Sequence, residues 1–267
     1  MEHGNKFQQF VKALFHIDEK VFYAFLYRIS QAFVGILTIF FITSWFQPGE
    51  QGYYYTFNSL IALQIIFEMG FSFVIVQFSA HDFAALHWSK RGNIVGPREA
   101  VEAFSLFVGK CCKTYTIIAF CAFVIIWVVG NFFFRTADNA TPVNWSLPWL
   151  LLCLMTMGNL LLTPFFAIIE GSGRVKEINQ FKTIQNTVGA LILWIAMMNN
   201  LKLYSIGLDL LFCFVFGLSW LWKKYPNLIG QAYHRLLRSR KELTSISRWS
   251  NEIWPMQWRI GISWISG

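Results

Sequence analysis

Charged residues are scarce in this chain, and apolar residues run through nearly its whole length. Only 13% of residues are charged whereas 55% are hydrophobic, and the mean hydropathy is +0.46. A soluble domain concentrates its apolar residues in a core and carries about twice this share of charge, so the composition excludes an ordinary soluble protein. It indicates a chain that lies largely within a membrane.

The chain also lacks the side-chain patterns of a metal centre or an active site. Its five cysteines stand at no metal-like spacing and are expected to serve as apolar side chains. The predicted outer loops, near 47–52, 135–148 and 199–203, contain no histidine pair, carboxylate pair or nucleophile elbow. His81, Asp82 and His87 lie close together in sequence on the inner side, but a metal site needs its ligands in defined geometry, so we interpret them as solvated loop residues. We therefore expect neither an enzyme nor a resident metal or cofactor.

A cleavable signal is not evident either. Residues 6–23 mix charged and apolar residues instead of giving a short apolar run before a small-residue cleavage site. Apolar residues from Phe7 to Phe15 recur at helical spacing, which predicts an interfacial amphipathic helix. We expect residues 1–20 to form a cytoplasmic or interfacial segment.

Six apolar stretches are each long enough to cross a bilayer. A bilayer core is roughly 30 Å thick and a helix rises about 1.5 Å per residue, so about 20 apolar residues span it. The predicted spans lie near residues 21–46, 53–80, 114–134, 149–169, 181–200 and 203–222. The predicted fold is all-α, a polytopic transmembrane helix bundle whose six-helix lobe covers residues 21–222.

Lysine and arginine are concentrated in every second loop, so nearly all of them lie on one side of the membrane. The predicted inner segments hold 18 of the 22 basic residues, whereas the outer loops hold only Arg135 and Lys202. Cytoplasmic loops collect basic residues, so this split predicts a multi-pass protein of the cytoplasmic membrane with its N-terminus inside. The basic inner loops account for the net charge of +8, so the charge does not indicate a nucleic-acid partner.

The C-terminal part begins a further apolar segment. A basic cytoplasmic loop is predicted for residues 223–252, and residues 253–267 then start a seventh helix. This last segment is too short to cross a bilayer. We expect the chain to be a fragment or truncated form of a longer membrane protein.

Ionisable residues inside a span are costly, so each is a functional candidate. Arg28 lies in the first predicted span and Glu68 in the second, at overlapping depths. Arg28 and Gln31 share one helical face, and Gln64 and Glu68 share another. If these faces meet, they form a polar lining in which the arginine and the glutamate neutralise each other.

Other interpretations of these residues stay open. Arg28 and Glu68 can pair as a structural tie between two helices, or Arg28 can extend its charged group along the lipid toward the interface. Asp209 is a weaker candidate for a transport pathway. It falls near the outer N-terminus of span six, where the helix dipole also favours a carboxylate.

Four parts of the sequence carry a family likeness: Arg28, Ser30, Gln31 and Gly35 of span one, and the segments Pro48–Tyr54, Glu68–Phe71 and Glu170–Val175. The last of these lacks the lysine and the preceding strand of a phosphate-binding loop, so we interpret it as a turn between helices. Together these segments resemble the bacterial polysaccharide and O-antigen flippases, which belong to the multidrug/oligosaccharidyl-lipid/polysaccharide exporter superfamily. The likeness covers nearly the whole chain in span order and loop side.

The resemblance implies a transporter of two six-helix lobes around a central hydrophilic cavity. This chain would supply the first lobe and the start of helix seven, and a C-terminal lobe would be missing. The resemblance further implies that a polyprenyl-linked glycan is flipped across the bacterial inner membrane. Arg28 would contact a pyrophosphate or acidic sugar, Gln31 and Gln64 would bind hydroxyl groups, and Arg259 would join them from helix seven. A coupling cation is a further candidate partner.

Two other active functions remain open. A drug or metabolite antiporter of the same fold would be favoured by more intramembrane carboxylates than Glu68 alone. A membrane-embedded glycan polymerase or ligase would require a long outer loop with catalytic groups. A structural or inactive truncated product is the remaining alternative.

Overall fold

The computed structural model describes residues 19–89, 92–136, 143–230 and 254–266. Its helices are α1 (Glu19–Trp45), α2 (Pro48–Ala62), α3 (Gln64–Glu68), α4 (Phe71–Asp82), α5 (Arg98–Thr136), α6 (Ser146–Gly171), α7 (Val175–Met198), α8 (Tyr204–Lys224) and α9 (Trp254–Ser266). A 3-10 turn, Phe83–Ala85, precedes strands β1 (His87–Trp88) and β2 (Ile94–Val95), which pair antiparallel with His87 opposite Val95. The predicted all-α class is confirmed, and the helix predicted over residues 7–15 lies outside the described residues.

The apolar helices are those of a multi-pass membrane protein. In the described part of the chain, five helices are long and apolar enough to cross a bilayer, and the bent pair formed by α2–α3 and α4 makes a sixth if it is one span. The five are α1, α5, α6, α7 and α8. They correspond to all the predicted spans except the second.

The second predicted span is broken. Its two halves meet at an angle of 44°. Helix α3 ends at Glu68 because the next two residues, Met69 and Gly70, adopt left-handed backbone angles with φ of 45° and 71°. Glycine reaches this region without a steric penalty, but methionine does not. The predicted span over residues 53–80 thus consists of helical segments joined at a bend, and the bent pair as a whole is long and apolar enough to be one span.

Helix α5 is much longer than the predicted third span of residues 114–134. It has 39 residues and a length of about 58 Å. Its first third is amphipathic, with Phe104, Val108 and Cys111 buried while Glu99 and Lys113 are exposed. Hydropathy put the start of the third span at residue 114, where the charged residues end. The helix starts earlier, at Arg98, because its buried apolar face extends back through the charged part.

Helix α1 packs mainly against α7. The indole Nε1 of Trp194 donates a hydrogen bond to Thr38 Oγ1 at 3.0 Å, and the ring of Phe41 stacks on Trp194 with centroids 5.1 Å apart. The remaining faces of α1 are largely exposed within this chain, including Phe33 and Ile36.

The connections between helices form two sets that alternate along the chain, and each set lies at one end of the bundle. At what we call the Glu177 end, Trp88 Nε1 donates to Ser172 Oγ at 2.8 Å, and the Trp88 ring lies edge-on to Tyr225. At what we call the Glu50 end, Lys202 pairs with Glu50. The loops predicted to be basic and cytoplasmic thus contact one another at the Glu177 end.

Candidate functional site

The break in span two places polar side chains inside the bundle. Gln64 begins the short helix α3 and Glu68 ends it, so the two side chains lie one helical turn apart on the same face. Both line a small cavity of about 130 Å³, which we call the Glu68 pocket. The other lining residues are Ile61, Thr156, Asn159, Leu160, Thr163 and Leu210.

One face of α6 forms the opposite wall of this pocket. Thr156, Asn159 and Thr163 recur at intervals of three and four residues, so they lie along one side of the helix. Asn159 Nδ2 donates to the backbone oxygens of Met155 at 2.8 Å and Leu210 at 3.0 Å, which ties α6 to α8. This wall is polar although α6 is otherwise an apolar helix.

Pro164 removes one helical hydrogen bond beside the same wall. A proline inside a helix has no N–H, so the carbonyl four residues earlier loses its helical donor. That carbonyl belongs to Leu160, which lines the Glu68 pocket. The interrupted second span and a proline-containing part of the continuous helix α6 therefore both border the pocket.

The Glu68 carboxylate is held by a neutral group. The hydroxyl of Tyr115, on α5, donates to Glu68 Oε2 at 3.1 Å. In the part of the chain that the structure describes, Glu68 and Arg28 form no ion pair with each other. The hypothesis that these two residues tie spans one and two together was wrong.

Helix α9 covers the backbone at the break. Gln257 Nε2 donates to the backbone oxygens of Glu68 at 3.2 Å and Met69 at 3.1 Å, carbonyls that the end of α3 leaves without helical donors. Unpaired backbone carbonyls are costly inside a bilayer, so this side chain stabilises the interrupted conformation. The predicted start of a seventh helix is thus docked on the second span.

Two buried acceptors at this site have no donor. Among the described residues, Gln64 Oε1 and Gln257 Oε1 are inaccessible and make no hydrogen bond. Buried polar atoms are nearly always satisfied, so each such atom calls for a donor that the protein itself does not provide. A hydroxyl or N–H group of a ligand, or a water molecule, would supply it.

The remaining predicted cavity residues do not join this pocket. Arg28 and Gln31 are exposed on α1, and Gln31 Nε2 donates to the Tyr27 hydroxyl at 2.9 Å. Because α1 packs mainly on α7, the faces of spans one and two do not form the predicted common lining. Arg259 is also exposed, on α9, and is not among the residues that line the pocket.

Asp209 occupies a separate position between α7 and α8. A Cβ atom at Gly189 would lie 2.3 Å from Asp209 Oδ1, so the carboxylate fits only because residue 189 has no side chain. Cys213 Sγ lies 3.7 Å from the same oxygen as a weak donor. Asp209 adjoins Leu210 but does not itself line the Glu68 pocket.

Sequence reasoning missed several members of the site. Thr156, Asn159 and Thr163 were detectable as polar residues at helical spacing in an apolar span, and Pro164 was a visible helix breaker. Tyr115 and Gln257 carry no local signal, because their role depends on which helices pack together.

A second polar cluster closes the Glu177 end. The Glu177 carboxylate accepts bonds from Arg174 Nη1 at 3.0 Å, Lys224 Nζ at 2.8 Å and the Tyr225 hydroxyl at 2.7 Å. Burial raises the pKa of Tyr225, and the bond to Glu177 raises it further. Because one carboxylate joins residues from two different connections between helices, this cluster holds those connections together. The turn predicted at residues 170–174 lies beside it.

The described residues contain no group of three or more histidine, cysteine, aspartate or glutamate side chains that could hold a metal ion. Comparisons with protein-family models, with curated proteins and with solved structures found no match to this chain. Function must therefore be inferred from the geometry of the Glu68 pocket and from the sequence.

Proposed function

We propose that this chain is the N-terminal part of a flippase that moves a lipid-linked oligosaccharide across the bacterial cytoplasmic membrane, with its N-terminus inside. The interrupted second span carries the proposal, since it presents the side chains of Gln64 and Glu68 to a pocket within the bundle. Transporters commonly bind substrate at discontinuous helices near the middle of the membrane. The segment Glu68–Phe71, one of those that resemble the flippases, contains the break itself.

The chemistry of the pocket suits hydroxyl groups better than a strong ion. Its polar side chains are amides and hydroxyls together with one carboxylate, and the buried amide oxygen of Gln64 has no hydrogen-bond donor among the described residues. Sugars supply many such donors. In this proposal the pocket is one wall of the substrate path, and the exposed face of α1 with Arg28 and Gln31 faces the same path once a second lobe is present.

A complementation assay tests this function. The complete reading frame should restore surface polysaccharide to a bacterial strain that lacks its own flippase, and Glu68→Gln and Gln64→Leu should each reduce that export. The matched control is Glu99→Gln, which neutralises an exposed glutamate at the start of α5. Export by both pocket variants at the level of the control would contradict the proposal.

A cation-coupled antiporter is the second candidate, and Asp209 is the observation that favours it. Asp209 and Glu68 are two intramembrane carboxylates, and neither has a basic partner among the described residues. Such groups bind protons or cations in many transporters. This candidate predicts that the chain lowers drug accumulation in a pump-deficient strain and that Asp209→Asn abolishes the effect. The flippase proposal predicts no change in drug accumulation.

A further inference from the structure

A second and larger cavity lies at the Glu50 end, away from the Glu68 pocket. Its volume is about 530 Å³, and three connections between helices line it. Sites for small molecules commonly measure about 300–1,000 Å³. The polar lining residues are Gln47, Glu50, Asn144, Asn200, Lys202 and Tyr204. We call it the Lys202 cavity.

The charges in this cavity are fixed and balanced. Lys202 Nζ lies 2.6 Å from Glu50 Oε1, and Glu50 Oε2 accepts the backbone N–H of Gln47 at 3.1 Å. The Glu50 side chain is only 6% exposed, whereas that of Lys202 is 54% exposed. An ammonium group has three donors, so Lys202 can bind Glu50 and still donate into the cavity.

The loop that carries Lys202 is held in an unfavourable conformation. Asn200 and Lys202 have φ of 57° and 49°, in the left-handed region. Asparagine tolerates this region but lysine rarely adopts it, and such strain persists only where the surroundings enforce it. The bond to Glu50 is one such constraint, and it holds the ammonium group at the cavity wall.

Side-chain amides and an aromatic ring complete the lining. Asn144 and Asn200 are exposed, and within the described ranges no hydrogen bond engages either side chain. Each amide can both donate and accept. The ring of Tyr204 offers an apolar face that ends in a polar hydroxyl.

We propose that the Lys202 cavity binds a neutral sugar unit through its hydroxyl groups. An anion is disfavoured because Glu50 already matches Lys202, and a zwitterionic headgroup would have to break that pair. An apolar ligand would bury the Lys202 ammonium and leave its remaining donors without partners. Hydroxyl groups, by contrast, can donate to the amide oxygens and accept from Lys202 and the amide nitrogens, while the sugar ring covers Tyr204.

This inference rests on the proposed function for the source of the sugar. The predicted topology puts the Glu50 end outside, where a flipped glycan would emerge, and a free saccharide offers the same chemistry. Binding is measured without transport, so the two proposals can fail separately.

The test uses the purified chain in lipid nanodiscs and ligand-observed NMR. The probes are N-acetylglucosamine and its β-1,4-linked disaccharide, with inorganic phosphate and glycerophosphoethanolamine as the competing chemistries. We expect both sugars to bind, and Asn144→Leu and Tyr204→Leu each to weaken binding about tenfold, the equivalent of roughly one lost hydrogen bond or ring contact. Asn200→Gly removes an amide while keeping the left-handed backbone, and should act in the same direction.

Two matched variants serve as controls. Arg135→Gln and Glu99→Gln each remove an exposed charge, at the end and at the start of α5, and neither residue lines the cavity. Both should bind the sugars as the unmodified chain does, and thermal unfolding should confirm that every variant is folded. The proposal is overturned if the three cavity variants bind as well as the controls, or if only phosphate or glycerophosphoethanolamine binds. Sugar binding by a chain that fails in complementation would contradict the flippase and leave this site intact.

Discussion

Gln257, on the ninth helix, donates from one side-chain nitrogen to the backbone oxygens of both Glu68 and Met69, at 3.2 and 3.1 Å. Residues nearly 190 positions apart are thereby joined where the second span changes direction. The break is therefore a tertiary feature, stabilised from outside its own helix.

Replacing Gln257 with leucine should leave those two carbonyls without a donor and lower the free energy of unfolding by about 1–3 kcal/mol. Thermal unfolding in detergent measures the change. Arg259→Gln is the control, because Arg259 is exposed two residues further along α9. Equal unfolding temperatures for the two variants would show that Gln257 does not support the break.

If the proposed function holds, Tyr115→Phe should weaken export in the complementation assay, because it removes the hydroxyl that donates to the Glu68 side chain. Glu68→Gln should also weaken it, and combining the two changes should cost less than the sum of the single effects, since both act through one contact. Complementation and unfolding provide the four measurements of this cycle. Additive effects would mean that the Tyr115–Glu68 contact is not functional.

The Glu177 end should lose stability at high pH. Burial, reinforced by the bond to Glu177, raises the pKa of Tyr225 above its ordinary value of 10.0. Since the folded state holds the neutral phenol, this contribution is complete below the ordinary pKa and is lost as the pH rises toward the folded value. Tyr225→Phe should therefore have a smaller loss of stability above about pH 10 than the unmodified chain. Parallel pH profiles would contradict this linkage.

Gly130→Ala should be strongly destabilising. A Cβ atom there would lie 2.2 Å from Cζ2 of the fully buried Trp149, so α5 and α6 would have to separate. Overpacking of this kind costs about 1–3 kcal/mol. The matched substitution is Gly35→Ala on α1, where nothing lies within 4 Å of the new atom. It should be neutral or slightly stabilising, because alanine favours a helix over glycine.

Cysteine labelling in intact cells tests the predicted orientation. Asn144→Cys, at the Glu50 end, should react with an impermeant reagent added outside, and His87→Cys, at the Glu177 end, should react only after the membrane is opened. The expectation follows from the excess of basic residues in the loops that meet at the Glu177 end. The reverse pattern would invert the orientation and put the Lys202 cavity inside.

Sequence reasoning predicted what depends on local composition. The five continuous spans follow from apolar length, and Gln64 and Glu68 share a pocket as their one-turn spacing suggested. It failed where packing decides the outcome. The pairing of α1 with α7 rests on contacts such as Thr38 with Trp194, which no local pattern announces. Similarly, hydropathy cannot show that Glu68 is satisfied by Tyr115 instead of Arg28, because it does not specify helix neighbours.

The interrupted second span also constrains how the chain enters the membrane during synthesis. Helix α4 has only 12 residues and a bilayer crossing needs about 20, so α4 cannot enter the lipid as an independent segment. We expect α4 to enter the membrane as one unit with α2 and α3. That unit carries the Glu68 carboxylate and the non-helical residues Met69 and Gly70. Tyr115 and Gln257, which satisfy those groups, are synthesised later. The hydrogen bonding seen at the break is therefore complete only after α9 has been synthesised.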